Sequence, residues 1–266
     1  MLLNQLRQNK YKIMAGLLVL YLVADLVLHK GLVRVMIHKN FPDYTINSSL
    51  PKNNNKLINT GKVWVKAVNT MALMNEIDKQ SSGLECDVYF DSEKGIFDVH
   101  HDEDKSKGLN LDDLLKVYND RGLHASVWLD FKNLDTGNVK QSFSTLLSLR
   151  NKYRLREKVL VESSKAELLM PFGDSGFYTS YYTPLFNPYL AGEDSLKHWV
   201  DSLTVVMNRS SVNALSGYYF QYPFLHRYFP KYPLLIWSPN DRFSLVNWCY
   251  KWQISNAPEV FIGLYP

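Results

Sequence analysis

The chain has 266 residues, 46% hydrophobic and 14% aromatic, with a formal net charge of +4. That is enough apolar material for one sizeable core of about 200 residues plus an appendage, which excludes a disordered chain. Lys and Arg are spread along the chain and form no block, so nothing marks a nucleic-acid partner. Cys86 and Cys249, the only cysteines, are too few for a disulfide scaffold or a Cys-based zinc site.

The first distinctive stretch is "IMAGLLVLYLVADLVLHKG", in which positions 13–28 are apolar apart from Asp25. A bilayer core needs about 20 apolar residues in a helix, and Lys12 and Lys30 can snorkel to extend this one. Residues 1–38 are therefore expected to be a single-pass membrane anchor. A signal peptide and an amphipathic surface helix are the alternatives; no clear small-x-small cleavage site follows. Arg7, Lys10 and Lys12 favour a cytoplasmic N-terminus, which puts the remainder outside the cytoplasm, although Lys30, Arg34 and Lys39 dilute the bias. Residues 39–56 are rich in Asn, Ser and Pro and read as a linker, with the folded domain spanning 57–266.

From Leu57 the chain alternates short apolar runs with amphipathic ones. Strands are expected at "KVWVKAVN", "GLECDVYF", "ASVWLDFKN", "VLVESS", "GFYTSYYT", "ALSGYYF", "PLLIWSPN" and "EVFIGLYP". Helical periodicity appears in "TMALMNEIDKQ", "NLDDLLKVYNDRG", "NVKQSFSTLLSLRNKY", "SLKHWVDSLTVVM" and "SLVNWCYKW". About eight strands alternating with helices predict an α/β fold, a TIM-type (β/α)8 barrel with one or two reduced helices. A doubly wound open sheet is the second choice, since no glycine-rich phosphate loop follows any strand. The aromatic run "SGYYFQYPFLHRYF" reads most simply as strand packing.

Side chains two apart on a strand share a face. With Leu84, Cys86 and Val88 packed against outer helices, Glu85 and Asp87 point into the barrel mouth. The same alternation in "SVWLDFKN" sends Asp130 and Lys132 inward and Leu129 and Phe131 outward. Uncompensated buried carboxylates cost several kcal/mol each. A hard divalent cation held by oxygen ligands, Mg2+ or Ca2+, compensates them economically. An internal salt-bridge network with Lys66 and Lys132 is the alternative, and three acids against two lysines leave it open. A glycosidase-type carboxylate pair is weaker, because Glu85 and Asp87 sit on one strand with no acid clearly opposite.

"GLECDVYFDSEKGIFDVHHDED" resembles the Glu-x-Asp, strand, His-Asp signature of the glycerophosphodiester phosphodiesterase and phospholipase C-like barrel superfamily. "WLDFKNL" is similar to that superfamily's acidic-x-Lys strand in the Asp form of sphingomyelinase D-type phospholipases. "LLIWSPNDRFSLVNW" resembles its late Trp-x-x-Asn strand end, and "KAVNT" with "WLDFKNL" is most similar to the menorin-like branch. The resemblance implies metal ligation by Glu85, Asp87 and Asp130, general acid/base work by His101, and phosphate-charge stabilisation by Lys132. His100 is expected on the opposite side, although a one-residue slip exchanges the two. Glu162 has strand-end placement beside the metal shell, and Trp237 is a candidate wall of the substrate pocket. Lys66 stands where the family carries its first catalytic histidine, and a lysine normally stays charged at neutral pH. The expected activity is a metal-assisted, membrane-anchored phosphoric diester hydrolase for glycerophosphodiester- or phospholipid-like substrates. The alternative is a binding or scaffold barrel that has lost turnover through Lys66.

Overall fold

A computed structural model describes residues 2–28, 40–46, 51–238 and 244–265. The N-terminal helix α1 (Leu2–Leu28) precedes the barrel. In chain order follow β1 (Val63–Val65), α2 (Met71–Glu76), β2 (Gly83–Asp91), β3 (Ile96–Val99), α3 (Leu111–Asp120), β4 (Ser126–Phe131), α4 (Val139–Lys152) and β5 (Val159–Ser163). The second half continues with α5 (Met170–Asp174), β6 (Tyr178–Tyr182), α6 (Glu193–Arg209), β7 (Ala214–Tyr218), α7 (Tyr222–Tyr228), β8 (Leu234–Trp237), α8 (Leu245–Asn256) and β9 (Val260–Tyr265). All strands except β3 run parallel, in the order β1-β9-β8-β7-β6-β5-β4-β2. The sheet closes because β1 pairs with both β9 (Trp64 opposite Leu264) and β2 (Val65 opposite Leu84). This is the TIM-type barrel expected from the sequence, and each of the eight anticipated runs contributes one barrel strand.

Two apolar clusters follow from the alternation of side chains. The outer one lies between strands and helices and includes Leu84, Cys86, Val88, Leu129 and Phe131. The inner one plugs the barrel and consists of Trp64, Trp128, Leu160, Tyr178, Ala214, Leu235, Ile262 and Leu264. At this level β2 offers Gly83, and a Cβ there would lie 2.0 Å from the Trp64 ring. The missing side chain gives the indole its place in the plug. Above the plug, toward the C-terminal strand ends, lie the charged side chains Lys66, Glu85, Asp87, Asp130, Lys132 and Glu162, with Tyr182 and Trp237 beside them.

Three of the outer helices are one or two turns long: α2, α5 and α7. The reading of "QYPFLHRYF" as strand is corrected here, since Tyr222–Tyr228 is helical. Pro223 lies in its first turn, where a missing N–H costs no hydrogen bond. β3 also escaped the periodicity analysis. β2 outruns its barrel partner and folds back through a turn in which Asp91 Oδ1 accepts from the amides of Glu93 and Lys94, with Gly95 at φ 68°. β3 then returns antiparallel, Val99 opposite Val88.

The stretch expected to be a linker is laid along the barrel wherever it is described. Tyr44 stacks on Tyr228 with centroids 5.5 Å apart, and Phe41 meets Phe224 edge-on at 5.8 Å. Asn55 Nδ2 donates to the carbonyls of Gly173 and Phe177, each at 2.7 Å. The Asn53 carbonyl accepts from Asn213 Nδ2 at 2.9 Å. The segment's first part is held by these aromatic contacts and its second by side-chain amide bonds to the barrel. Within α1, Asn9–Leu28 is long and apolar enough to cross a membrane.

Candidate active site

Three neighbouring strands bring their carboxylates to one level. Asp87 on β2 is in register with Asp130 on β4, which is in register with Glu162 on β5. Glu85 lies one pleat deeper on the same face as Asp87, opposite Trp128. Glu85, Asp87 and Asp130 each present an oxygen within 4.8 Å of the others. Glu85, Asp87 and Glu162 are only 4%, 3% and 2% exposed, so their charges are held largely away from water.

The polypeptide supplies each acid with a different partner. The Ala67 amide donates to Glu85 Oε2 at 2.7 Å, from a residue with φ 57°. An alanine in the left-handed region costs about 1 kcal/mol or more, and here the cost aims a donor at a buried carboxylate. Asn69 holds Asp87 reciprocally, its Nδ2 donating to Oδ2 at 2.6 Å and its Oδ1 accepting from the Asp87 amide at 2.9 Å. Lys132 Nζ sits between Asp130 Oδ2 and Asp87 Oδ1, 2.7 Å from the latter. The next residue, Asn133, fixes the end of β4 to β2 by bonding both the amide and the carbonyl of Phe90.

Glu162 is the least satisfied of the acids. Its Oε2 has no hydrogen-bond partner, and the buried hydroxyls of Ser180 and Ser216 on the next strands are likewise unpartnered. Both hydroxyls face the Glu162 carboxyl and pull its pKa down as hydrogen-bond donors, but neither reaches Oε2 in good geometry. Burial, reinforced by Asp130, holds the Glu162 carboxyl well above the usual range. Burial and the charges of Asp87 and Asp130 push Glu85 up to about 8, and burial also raises Asp130. Burial works against the Lys132 ammonium, but Asp130 and Asp87 more than offset it and raise its pKa. Burial lowers that of Lys66, with Glu85 and Asp87 opposing.

Lys66, His101, Tyr182 and Trp237 complete the mouth of a cavity of about 130 Å³, with the acids and Lys132 at its floor and side. Lys66 Nζ donates to the Ser238 carbonyl at 3.1 Å and lies 5.5 Å from the Trp237 ring centroid. The β2–β3 hairpin accounts for the histidine. It carries the chain back to the rim, where the His100 amide donates to the Asp87 carbonyl at 3.2 Å. His101 turns into the cavity, its Nδ1 2.7 Å from Asp102 Oδ1. His100 lies elsewhere, buried and stacked on Tyr89 with centroids 4.3 Å apart, its Nδ1 2.7 Å from the Asp102 carbonyl. The structure thus gathers Lys66, Glu85, Asp87, His101, Asp130, Lys132, Glu162 and Trp237 around one cavity. Asn240, the last position of the Trp-x-x-Asn stretch, lies outside the described residues.

The sequence matches no protein-family model and no curated protein. Solved structures do resemble it. One is described as a glycerophosphoryl diester phosphodiesterase from Silicibacter pomeroyi, with a TM-score of 0.56 and 12% identity over 81% of this chain and 94% of that one. A glycerophosphodiester phosphodiesterase from Parabacteroides distasonis gives 0.52 and 12%, over 78% of this chain and 93% of its own. A phosphodiesterase from Oleispira antarctica, solved with the product sn-glycerol-3-phosphate, gives 0.50 and 13%, over 77% and 92%. The fold is that of the glycerophosphodiester phosphodiesterases. Within this barrel, sequence reasoning passed over Tyr182 at the mouth and two amides that hold the site, Asn69 and Asn133. Both amides stand inside quoted motifs, "KAVNT" and "WLDFKNL", but periodicity marks only which face a residue takes, not that an amide is needed to pin a carboxylate.

Proposed function

We propose that the protein is a membrane-anchored phosphoric diester hydrolase for glycerophosphodiester- or phospholipid-type substrates. The observation that carries this reading is the joint placement of four acids, two lysines and a histidine around one small cavity at the C-terminal strand ends, where barrels of this architecture place their chemistry.

The donor set suits a hard divalent cation. The cluster of Glu85, Asp87 and Asp130 consists of oxygens alone, the unpartnered Oε2 of buried Glu162 lies on the neighbouring strand in register with Asp130, and the four acids of the cavity outnumber its two lysines. Glu85, Asp87 and Asp130 would hold Mg2+ or Ca2+, with Glu162 beside them. The cation would supply Lewis-acid polarisation of the phosphoryl oxygens. Lys132 and Lys66 bind non-bridging oxygens and stabilise the charge that grows as the attacking oxygen arrives. His101, oriented by Asp102, gives its proton to the leaving alcohol as the phosphorus–oxygen bond breaks. Trp237 forms the wall that excludes water from one side of the phosphate. Anchoring by α1 supports a substrate embedded in or close to the bilayer.

A second reading, a barrel that binds phosphodiesters without cleaving them, is favoured by one observation: Lys66, on the strand-end position expected to carry a catalytic histidine, is engaged by the Ser238 carbonyl. The deciding experiment uses the full chain in detergent. Mg2+ and Ca2+ are titrated calorimetrically into it and into Glu85→Gln, and both are assayed against glycerophosphodiesters and lysophospholipids. Cation binding lost in the variant, together with metal-dependent release of alcohol, supports the hydrolase. Binding without turnover favours the second reading, and no binding at millimolar metal rejects the metal site.

A further inference from the structure

The flank of the barrel formed by α8 carries apolar side chains that are left exposed among the described residues. Leu245 is 44% exposed, and Trp248 and Trp252 are each 68% exposed. At 3.6 residues per turn these three fall on one face, with the exposed Cys249 at its edge. Ile254, which is buried against the barrel, lies on the opposite face. Two exposed tryptophans one turn apart are costly in water. Their amphipathic rings suit the headgroup layer of a bilayer.

The position of α1 says why a bilayer belongs there. α1 packs against α8, and it is the C-terminal end of α1 that meets the barrel, with Asp25 buried and Leu26 packed on the outer core. Ile13, Leu17, Leu20 and Val23, nearer its N-terminus, are all more than half exposed and form the lipid-facing part. The end of a spanning helix is where it leaves the hydrocarbon. α8 therefore sits at the depth of the interface, and its exposed stripe continues the apolar surface of α1 sideways. We propose that Leu245, Trp248 and Trp252 form a membrane-docking surface that lays the α8 flank of the barrel on the headgroup region of the bilayer holding α1. The proposal rests on the reading of α1 as an anchor. It brings the mouth, from which α8 departs after β8, beside the lipid headgroups.

The test uses the full chain in phosphatidylcholine vesicles, with a nitroxide on Cys249; the other cysteine, Cys86, is fully buried. A second label is placed by Ser148→Cys in a Cys249→Ser background, on α4 across the barrel. Relaxation by dissolved oxygen and by a water-soluble nickel chelate reports depth. The oxygen-to-nickel ratio is expected to be at least about threefold higher at position 249 than at 148. It should fall to the value at 148 when Trp248 and Trp252 are both changed to Ser, while the chain stays in the membrane after alkaline carbonate. Equal ratios at the two positions in a carbonate-resistant chain would overturn the docking and leave the anchor. A label at 249 shielded from both agents would place a second protein copy on the stripe and also overturn it. Release by carbonate would remove the anchor and the docking together.

Discussion

Lys132 Nζ bridges the carboxylates of Asp87 and Asp130, so one ammonium serves two acids that are directly in register on adjacent strands. A cation binding at the same oxygens has to share them with this lysine or displace it. Lys132→Met is therefore expected to tighten Mg2+ or Ca2+ binding, by on the order of tenfold or ~1.4 kcal/mol, while abolishing turnover. Calorimetry and the phosphodiesterase assay on one preparation check both halves. Weaker cation binding in Lys132→Met would show that the lysine does not compete.

Lys66→His is expected to raise turnover, because imidazole exchanges protons near neutrality and a lysine ammonium does so only when its pKa falls far. Lys66 is already lowered by burial, so the wild-type chain should respond to alkaline pH. In the variant the rising limb of the pH–rate profile should move toward 6–7, near the ordinary histidine pKa of ~6.5. An unchanged limb would assign Lys66 to electrostatic work alone.

The metal-free site also makes stability depend on pH. Glu85 keeps its proton to about 8 in the folded chain and loses it near 4.5 when unfolded. Between those values the folded state binds more protons. The contribution is complete below pH 4.5 and is lost as pH rises through 8, with a slope of up to ~1.4 kcal/mol per pH unit for one proton. Urea midpoints in the presence of a chelator should fall over this range, and Glu85→Gln should flatten the fall. A midpoint that rises over the same range would contradict the raised pKa.

Much of this site can be read from alternation alone. Because strand side chains alternate strictly, Glu85 and Asp87 had to share a face once Leu84, Cys86 and Val88 were given to the outer core, and Asp130 with Lys132 followed by the same rule. The barrel was legible because eight apolar runs recur at βα spacing. The β2–β3 hairpin was not, since "EKGIFDV" offers four strand residues with no helix before them, and the hairpin alone explains why His101 reaches the cavity. Residues 40–46 and 51–56 lie on the barrel through pairings that are just as hidden: Phe41 and Tyr44 meet Phe224 and Tyr228, and Asn55 bonds the carbonyls of Gly173 and Phe177, all more than 100 residues away, and composition carries no trace of such pairings. Asn55→Ala should accordingly lower stability by about 1 kcal/mol, because the Phe177 carbonyl loses its Asn55 donor while that of Gly173 keeps the Gly176 amide; urea unfolding measures the loss.

Gly83 shows how the floor of the site depends on one absent side chain. The plug beneath the carboxylates needs the Trp64 indole directly over β2, where a Cβ would stand 2.0–2.4 Å from three ring atoms. The indole cannot tilt freely, since its Nε1 donates to Asn59 Oδ1 and to the Gly61 carbonyl, each at 3.1 Å, and its ring meets Trp128 edge-on at 6.5 Å. Gly83→Ala is thus expected to destabilise the chain by about 3 kcal/mol, the upper end of overpacking costs. It should also weaken cation binding, because a displaced Trp64 pushes Glu85 from below. Trp64→Leu in the same chain makes room for the methyl and should restore part of the stability, a non-additivity that urea unfolding of the two single variants and the double variant measures. Additive losses would mean that Gly83 is required for backbone conformation and not for the indole.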